Sequence, residues 1–233
     1  QLYPDPTLRT PGDIDIWLSG GHKKIISYVK QLIPDCTPTY HHVDFPIADG
    51  LDIEIHYRPS WAYNPFTNKR LQRYFAKHAG QQFNNTTTTP GGTFPAPTIA
   101  FNRIYILLHI YRHLFSEGIG MRQMLDYYYV TSQPATKKEK DEHITLLKQF
   151  GLYKFARATA YAMQQMFAAD DTHTLVAPDI KEGKFLLQEI MHAGNFGHHD
   201  SRYMKGNGTI AKLHNNTKRL LALIRHYPSE AIW

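Results

Sequence analysis

Two carboxylates stand one residue apart near the start of the chain, in the segment RTPGDIDIWL at 9–18. In a β-strand successive side chains point to opposite faces, so Asp13 and Asp15 would share one face while Ile14 and Ile16 would enter a core behind them. Two like charges at that spacing repel each other, and a cation between them relieves the repulsion. The pattern therefore predicts either a divalent-cation site or, as the plainer alternative, an exposed strand end with two solvated aspartates.

A second acidic strand is predicted in the segment LDIEIHYRP at 51–59. Its alternation places Asp52, Glu54 and His56 on one face. The apolar residues of the opposite face are Leu51, Ile53, Ile55 and Tyr57. If the two acidic strands are neighbours in one sheet, their carboxylates converge and supply the hard oxygen ligands that Mg²⁺ prefers. Two such ions about 3.5–4 Å apart can activate an attacking hydroxyl and stabilise a leaving pyrophosphate.

Three stretches together resemble the nucleotidyltransferase fold of the DNA polymerase beta superfamily. They are YPDPTLRTPGDIDIWL, IEIHYRP and LLHIYRHLFSEGIGMRQMLDYYY. More narrowly, they are similar to bacterial nucleotidyltransferase-like proteins in which a GDID strand and an E-I-H strand precede a helical segment of the form H-x-x-x-H…R-x-x-x-D. The similarity covers residues 2–130, and the rest of the chain adds only helices.

The resemblance implies a Mg²⁺-dependent enzyme that moves a nucleoside monophosphate from an NTP to a hydroxyl acceptor. Asp13 and Asp15 would bridge two metal ions, and Glu54 would be the third carboxylate, holding the catalytic metal and helping to activate the acceptor hydroxyl. Asp52 competes for that third place because it shares the face, and the E-I-H match favours Glu54. The superfamily uses small molecules, RNA ends and protein side chains as acceptors, so the acceptor stays open.

Further residues are expected to contact the substrate. They are Arg9 and Gly12 beside the first acidic strand, Lys23 at the start of the next helix, His56, and Arg122 with Asp126 in MRQMLD. Plainer alternatives stay open for Lys23, His56 and the pair Arg122 and Asp126. Lys23 would then be a solvated lysine, His56 would make a structural hydrogen bond, and Arg122 would pair with Asp126 one helical turn away.

One element of the superfamily has no counterpart in the sequence. A Gly-Ser or Lys-Gly turn usually precedes the first acidic strand, where backbone N–H groups grip the triphosphate. Only twelve residues precede Asp13, and none of them predicts such a turn. We therefore expect either a domain that is truncated at its N-terminus or a catalytically inactive binding or regulatory module with the same fold.

The histidines raise a third hypothesis, a zinc hydrolase, because the chain has 14 of them. His109 and His113 lie one helical turn apart, yet HIYRH lacks the Glu that follows the first His in metalloprotease helices. The histidines at 41–42 and the segment His198-His199-Asp200 lack recognisable ligand spacing. Structural roles are therefore expected: hydrogen-bonded side chains for His109 and His113, and loop or strand-face positions for the others.

The acidic strands require a small sheet to position them. The DIDIWL strand and an SGG turn lead into a helix predicted at 22–33 from its apolar spacing. The runs at 39–47 and 51–59 predict two strands of a hairpin around Ala48-Asp49-Gly50. Strand, helix and hairpin together favour an α+β domain.

Helical spacing dominates the rest of the chain. A helix is predicted at 65–78, and the Thr-, Gly- and Pro-rich segment 84–97 is expected to form an irregular linker. Beyond it, helices are predicted at 98–116, 120–132, 137–150, 152–169, 178–193 and 209–226. The prediction is therefore a small mixed nucleotidyltransferase-type sheet with flanking helices over 1–83, the linker 84–97 and an all-helical domain over 98–233.

Composition narrows the class of partner and the compartment. The net charge of +6 favours an anionic partner such as a nucleotide, but the basic residues are too dispersed to single out nucleic acid. The lone Cys36 excludes an internal disulfide framework and favours a reducing, cytoplasmic compartment. The apolar run IYILLHIY at 104–111 is too short to cross a bilayer, so no membrane partner is expected.

Overall fold

The structure is a computed structural model that describes residues 2–9, 12–47, 50–116, 118–193, 200, 202–204 and 208–232. Its strands are β1 (Asp13–Trp17), β2 (His42–Asp44), β3 (Asp52–His56), β4 (Thr86–Thr89) and β5 (Gly92–Pro95). Its helices are α1 (His22–Leu32), α2 (Pro65–Asn84), α3 (Ile99–Ser116), α4 (Met121–Thr131), α5 (Lys137–Gln149), α6 (Tyr153–Phe167), α7 (Ile180–Ala193), α8 (Thr209–Leu223) and α9 (Pro228–Ala231). A short 3₁₀ turn, Pro6–Leu8, precedes β1.

The chain divides into two compact units. The first contains residues 1–61 and 71–98, and the second contains 62–70 and 99–233. Strands β1–β5 lie in the first unit, whereas the described part of the second unit is helical. The predicted α+β class, a small sheet followed by helices, is confirmed.

The three-stranded sheet of the first unit has the order β1-β3-β2. Strand β3 pairs in parallel with β1 and antiparallel with β2, so the sheet is mixed, as predicted. The hairpin turn expected at Ala48-Asp49-Gly50 falls partly outside the described residues, because Ala48 and Asp49 are not among them. Gly50, which follows, has a φ of 76°, a value that glycine adopts without steric cost.

Helix α1 covers the apolar face of β2 and β3. The core there consists of Ile25, Val29, Val43, Ile55 and Tyr57. Val43 and Ile55 are direct cross-strand partners, so one apolar stripe runs across both strands. Every second residue of β3 is thereby committed to the core, which leaves the alternate residues on the polar face.

The prediction that Ile14 and Ile16 enter the core is wrong. They point away from the acidic face, but they remain 41% and 38% exposed. Strand β1 is one of the two edges of the sheet, and the α1 core draws its strand residues from β2 and β3. The other edge strand, β2, contributes Val43 to that core, so Ile14 and Ile16 are exposed because they lie outside the α1 contact.

The prediction of an irregular segment at 84–97 is also wrong, because β4 and β5 form an antiparallel hairpin within it. A two-residue turn, Pro90-Gly91, joins the paired residues Thr89 and Gly92. β-Branched threonines fit a pleated strand, and a Pro-Gly pair fits a tight turn. The polar composition that indicated a loop therefore belongs to an exposed hairpin.

In the helical unit, α3 packs against α4, α5 and α8, and α6 packs against α4, α5 and α7. The α6–α7 contact is especially close at Gly183. A Cβ atom on Gly183 would lie 2.4 Å from the Cβ atom of Tyr161, so only glycine fits. Within the described residues, none of the helices is both long and apolar enough to cross a membrane.

Candidate functional site

The pairing of β1 with β3 brings the two acidic strands side by side. In the parallel register Asp13 lies opposite Asp52, and Asp15 lies opposite Glu54. Partners in a parallel pair point to the same face of the sheet, so all four carboxylates share the polar face. The structure thus places on one face of the sheet the residues that the sequence predicts to converge.

His56 lies between two of these carboxylates. Its Nε2 atom is 2.8 Å from Oδ1 of Asp15 and 3.0 Å from Oε2 of Glu54. Its Nδ1 atom is 3.2 Å from the carbonyl oxygen of Arg58. All three neighbours are hydrogen-bond acceptors, an arrangement that favours hydrogen on both ring nitrogens and thus the imidazolium form of His56.

The pKa values of these groups follow from this contact. Burial alone would lower the pKa of His56, but the hydrogen bonds to Asp15 and Glu54 outweigh it and raise the pKa to about 9. Burial alone would raise the pKa of Glu54, but the hydrogen bonds from His42 and His56 hold it far below its ordinary value. Glu54 is therefore a carboxylate throughout the neutral range, and His56 is its counter-cation.

The acidic face is partly open to solvent. The side chains of Asp15 and Glu54 are 28% and 26% exposed, whereas that of His56 is only 5% exposed. Asp52 lies at the first position of β3 and is exposed. Glu54 is thus the better-held of the two candidates for the third carboxylate, since two histidines fix its position.

Two further histidines, which the sequence analysis assigned to structural roles, lie at the same site. His42 Nδ1 is 2.8 Å from Glu54 Oε2 and 3.2 Å from His41 Nε2. His42 pairs with His56 across the β2–β3 ladder, so its side chain is on the polar face. His41 precedes β2 at a bend, where the strand alternation does not apply.

The other residues predicted in the first unit lie beside β1 and in α1. Arg9 follows the 3₁₀ turn, and Gly12 is exposed immediately before β1. Lys23 is exposed in the first turn of α1, after Gly20 and Gly21, whose positive φ values are 130° and 75°. Arg122 and Asp126 lie in the second unit, where both are half-buried on α4.

The remaining histidines among the described residues do not form a comparable group. His109 Nε2 and His113 Nε2 lie 3.0 Å apart on α3. Within the described part of the chain, the group of three or more metal-ligating side chains is the one formed by His41, His42, Glu54 and His56. His198 and His199 lie outside the described residues, and Asp200 forms an ion pair with Arg202.

Two kinds of donor therefore meet on one sheet face. Asp13, Asp15 and Glu54 offer carboxylate oxygens, which suit Mg²⁺, and the histidines offer imidazole nitrogens, which suit transition metals. Two carboxylates that contact the same atom are typical of a cation site. In this structure Asp15 and Glu54 both contact Nε2 of His56.

Comparison with known proteins places the chain in a family. Neither the curated proteins nor the solved structures gave a match. A family model described as an uncharacterised nucleotidyltransferase matches residues 1–168, well over half of the 233 residues. The match includes the acidic strands, the histidine group and α4. The chain therefore belongs to this nucleotidyltransferase family.

Proposed function

We propose that the protein is a Mg²⁺-dependent nucleotidyltransferase that moves a nucleoside monophosphate from an NTP to a hydroxyl acceptor. The observation that carries the proposal is the β1–β3 register, which sets Asp13 and Asp15 beside Asp52 and Glu54. Family membership supports the same reaction class. Asp13, Asp15 and Glu54 are proposed as the catalytic and metal-binding residues.

The donor set fits Mg²⁺. Asp13, Asp15 and Glu54 supply carboxylate oxygens from two strands on a face that solvent and a triphosphate can reach. When bound, Mg²⁺ would neutralise the negative charge that develops on the transferring phosphoryl group. The protein's own contribution is to hold these oxygens on adjacent strands, so that little reorganisation is needed.

The bond changes of the proposed reaction balance. The acceptor oxygen forms a bond to the α-phosphorus, and the bond from that phosphorus to the bridging oxygen breaks, so pyrophosphate leaves with the electron pair. The acceptor proton is released to solvent water, which reaches this partly exposed face. Glu54 is a poor base while His42 and His56 hold its pKa far below the ordinary value, so we assign it to holding charge and geometry.

Substrate contacts are proposed for the remaining predicted residues. Arg9 and Lys23 carry positive charge beside β1 and in the first turn of α1, which suits contact with a triphosphate. Gly12 leaves the approach to β1 free of a side chain, and His56 orients Asp15 and Glu54.

For Arg122 and Asp126, the proposal is supported by their place in the R-x-x-x-D motif. The acceptor is proposed to be a small molecule, an RNA end or a protein hydroxyl.

A second candidate function is a catalytically inactive module that binds nucleotide or regulates a partner. The observation that favours it is the His56 imidazolium, which already compensates the charges of Asp15 and Glu54 without a metal ion. A face whose charge is balanced by the protein itself can be stable without catalysing transfer.

An assay with α-labelled NTPs separates the two candidates. The wild-type protein, Mg²⁺ and a panel of hydroxyl acceptors should give a labelled product and pyrophosphate, and the double substitution Asp13→Asn with Asp15→Asn should abolish both. Calorimetric titration with NTP and Mg²⁺ accompanies the assay. Binding without transfer by the wild type would favour the inactive module, and equal transfer by wild type and variant would refute the catalytic assignment.

A further inference from the structure

Four side chains at the end of β3 form a compact donor group, which we call the histidine cluster: His41, His42, Glu54 and His56. One ligand atom from each lies within 4.8 Å of the others. Contacts link the atoms in sequence, from His41 Nε2 to His42 Nδ1 at 3.2 Å, to Glu54 Oε2 at 2.8 Å, and to His56 Nε2 at 3.0 Å. Three imidazoles and a carboxylate thus face a common point.

The backbone holds the two adjacent histidines in place. The carbonyl oxygen of His41 accepts hydrogen bonds from the N–H groups of Tyr57 and Arg58, at 3.0 and 3.2 Å. The Tyr57 hydroxyl donates to the carbonyl oxygen of Thr39, and the N–H of Thr39 donates to the carbonyl oxygen of His42 at 2.9 Å. The bend that carries His41 and His42 is therefore tied to the end of β3, and this pre-organises the cluster.

The orientation of His56 matches that of a metal ligand. Histidines that bind metals usually donate the other ring N–H to a carbonyl or a carboxylate, which fixes the ring. Here His56 Nδ1 is 3.2 Å from the carbonyl oxygen of Arg58, which directs Nε2 into the cluster. The Nε2 atom of His42 lies 3.6 Å from the Asp44 carboxylate, on the side away from the cluster.

Two of the four cluster side chains are buried, and those of His42 and Glu54 are partly exposed. His41 and His56 are 8% and 4% exposed, and the indole of Trp61 lies 6.4 Å from the ring of His41, measured between centroids. In a tetrahedral site with bonds of about 2.0–2.2 Å, neighbouring ligand atoms lie about 3.3–3.6 Å apart. The linked atoms of the cluster are slightly closer than this, and no pair of ligand atoms has to close by more than about 1.5 Å.

We propose that the histidine cluster binds one first-row transition-metal ion, of the Zn²⁺ class, through three imidazole nitrogens and Glu54. Imidazole donors suit Zn²⁺, Cu²⁺, Fe²⁺ and Ni²⁺, whereas Mg²⁺ takes oxygen ligands. The site shares Glu54 with the proposed Mg²⁺ site. When the ion binds, Nε2 of His56 loses its proton to solvent and gives up its hydrogen bonds to Asp15 and Glu54. Because the ligands come from β3, β2 and the bend before β2, the ion would fasten that bend to the sheet. The proposal does not require nucleotidyl transfer.

Metal binding is tested on the whole protein without nucleotide. The wild-type protein is freed of metal with a chelator and titrated with Zn²⁺ or Co²⁺ alone. We expect one ion per chain, a rise in the thermal unfolding midpoint, and an X-ray absorption spectrum that shows three histidine nitrogens around the ion. An ion with an all-oxygen shell, or no binding after dialysis, would overturn the proposal without the need for any variant.

Variants assign the ion to the cluster. His42→Gln should weaken Co²⁺ binding by about tenfold or more, and His41→Gln serves as a second test if the first variant does not fold by circular dichroism. His214→Gln, on the exposed side of α8, is the matched control and should bind as the wild type does. Unchanged affinity in both cluster variants would contradict the assignment.

A further variant separates this site from the proposed catalytic site. Asp13→Asn removes a carboxylate of the acidic face that is not part of the cluster, so it should abolish nucleotidyl transfer and leave Co²⁺ binding intact. Loss of Co²⁺ binding in Asp13→Asn would mean that the aspartates hold the ion, which would refute the histidine site. Failure of the transfer assay alone would refute only the proposed function.

Discussion

The Nε2 atom of His56 lies 2.8 Å from Oδ1 of Asp15, and this contact joins the end of the central strand to the edge strand of the sheet. The same nitrogen also contacts Glu54. One buried imidazolium thus fixes the carboxylates of two strands. Several measurable consequences follow for activity, for the pKa of His56 and for stability.

Glu54 and Asp52 differ in how firmly they are held, and activity should separate them. Glu54→Gln removes the charge that His42 and His56 bind, so we expect nucleotidyl transfer to fall by about 100-fold or more. Asp52→Asn changes an exposed residue at the start of β3 and should retain most of the activity. Initial rates with α-labelled NTP measure both. Equal losses in the two variants, or a larger loss for Asp52→Asn, would assign the third carboxylate to Asp52.

The pKa of His56 should depend on Asp15. Hydrogen bonds and charge from Asp15 and Glu54 raise this pKa to about 9. Asp15→Asn removes one of the two negative charges, so the pKa should fall toward the ordinary value of 6.5. NMR titration of the ring nitrogens in metal-free protein measures the change. Asp44→Asn is the control, because Asp44 faces His42 instead, and it should leave the pKa of His56 in place.

The raised pKa of His56 also makes stability depend on pH. The folded-state pKa of about 9 exceeds the unfolded value near 6.5, so the stabilisation is complete below pH 6.5 and is lost as the pH rises through 9. We expect His56→Gln to lower the free energy of unfolding by about 1–3 kcal/mol at about pH 6 and by much less at about pH 10. Urea denaturation of chelator-treated protein measures this difference. If the difference in the free energy of unfolding between wild type and variant is the same at both pH values, His56 is neutral in the folded protein.

The α6–α7 contact of the helical unit should tolerate no side chain at Gly183. Gly183→Ala would place a Cβ atom 2.4 Å from the Cβ atom of Tyr161, which no rotation of the tyrosine ring can relieve. Overpacking of this kind costs about 1–3 kcal/mol or more. The control is Gly80→Ala in α2, where the new Cβ meets nothing within 4 Å. Since alanine favours a helix, that change should raise stability by about 0.5–1 kcal/mol. In thermal unfolding, the midpoint temperature should fall for Gly183→Ala and rise for Gly80→Ala.

The sequence predicts the acidic face because strand alternation is a local property. Asp13 with Asp15, and Asp52 with Glu54, follow from a period of two residues within each strand. The pairing of the two strands depends on the whole sheet, so it remained conditional until the structure showed the register. The prediction that Ile14 and Ile16 are buried is wrong for the same reason, because alternation within a strand does not show which strands the helix α1 covers.

The sequence does not predict the histidine cluster, because the cluster depends on a break in the alternation of side chains between the two faces of a strand. His41 and His42 are adjacent, and adjacent strand residues point to opposite faces. The bend at His41 brings both rings to the same side, and only the hydrogen bonds from Tyr57 and Arg58 reveal that bend. The β4–β5 hairpin was missed because its exposed threonines resemble a loop in composition, although the run of β-branched residues around Pro90-Gly91 was an available signal.

The central claim is that carboxylates from β1 and β3 together bind divalent cations beside an NTP. The most direct measurement is the anomalous diffraction of Mn²⁺ in crystals grown with a non-hydrolysable NTP, because Mn²⁺ scatters anomalously and takes the oxygen ligands that Mg²⁺ takes. The account predicts Mn²⁺ within bonding distance of Asp13, Asp15 and Glu54, with the triphosphate on the same face of the sheet. Mn²⁺ and triphosphate bound away from these three carboxylates would contradict it.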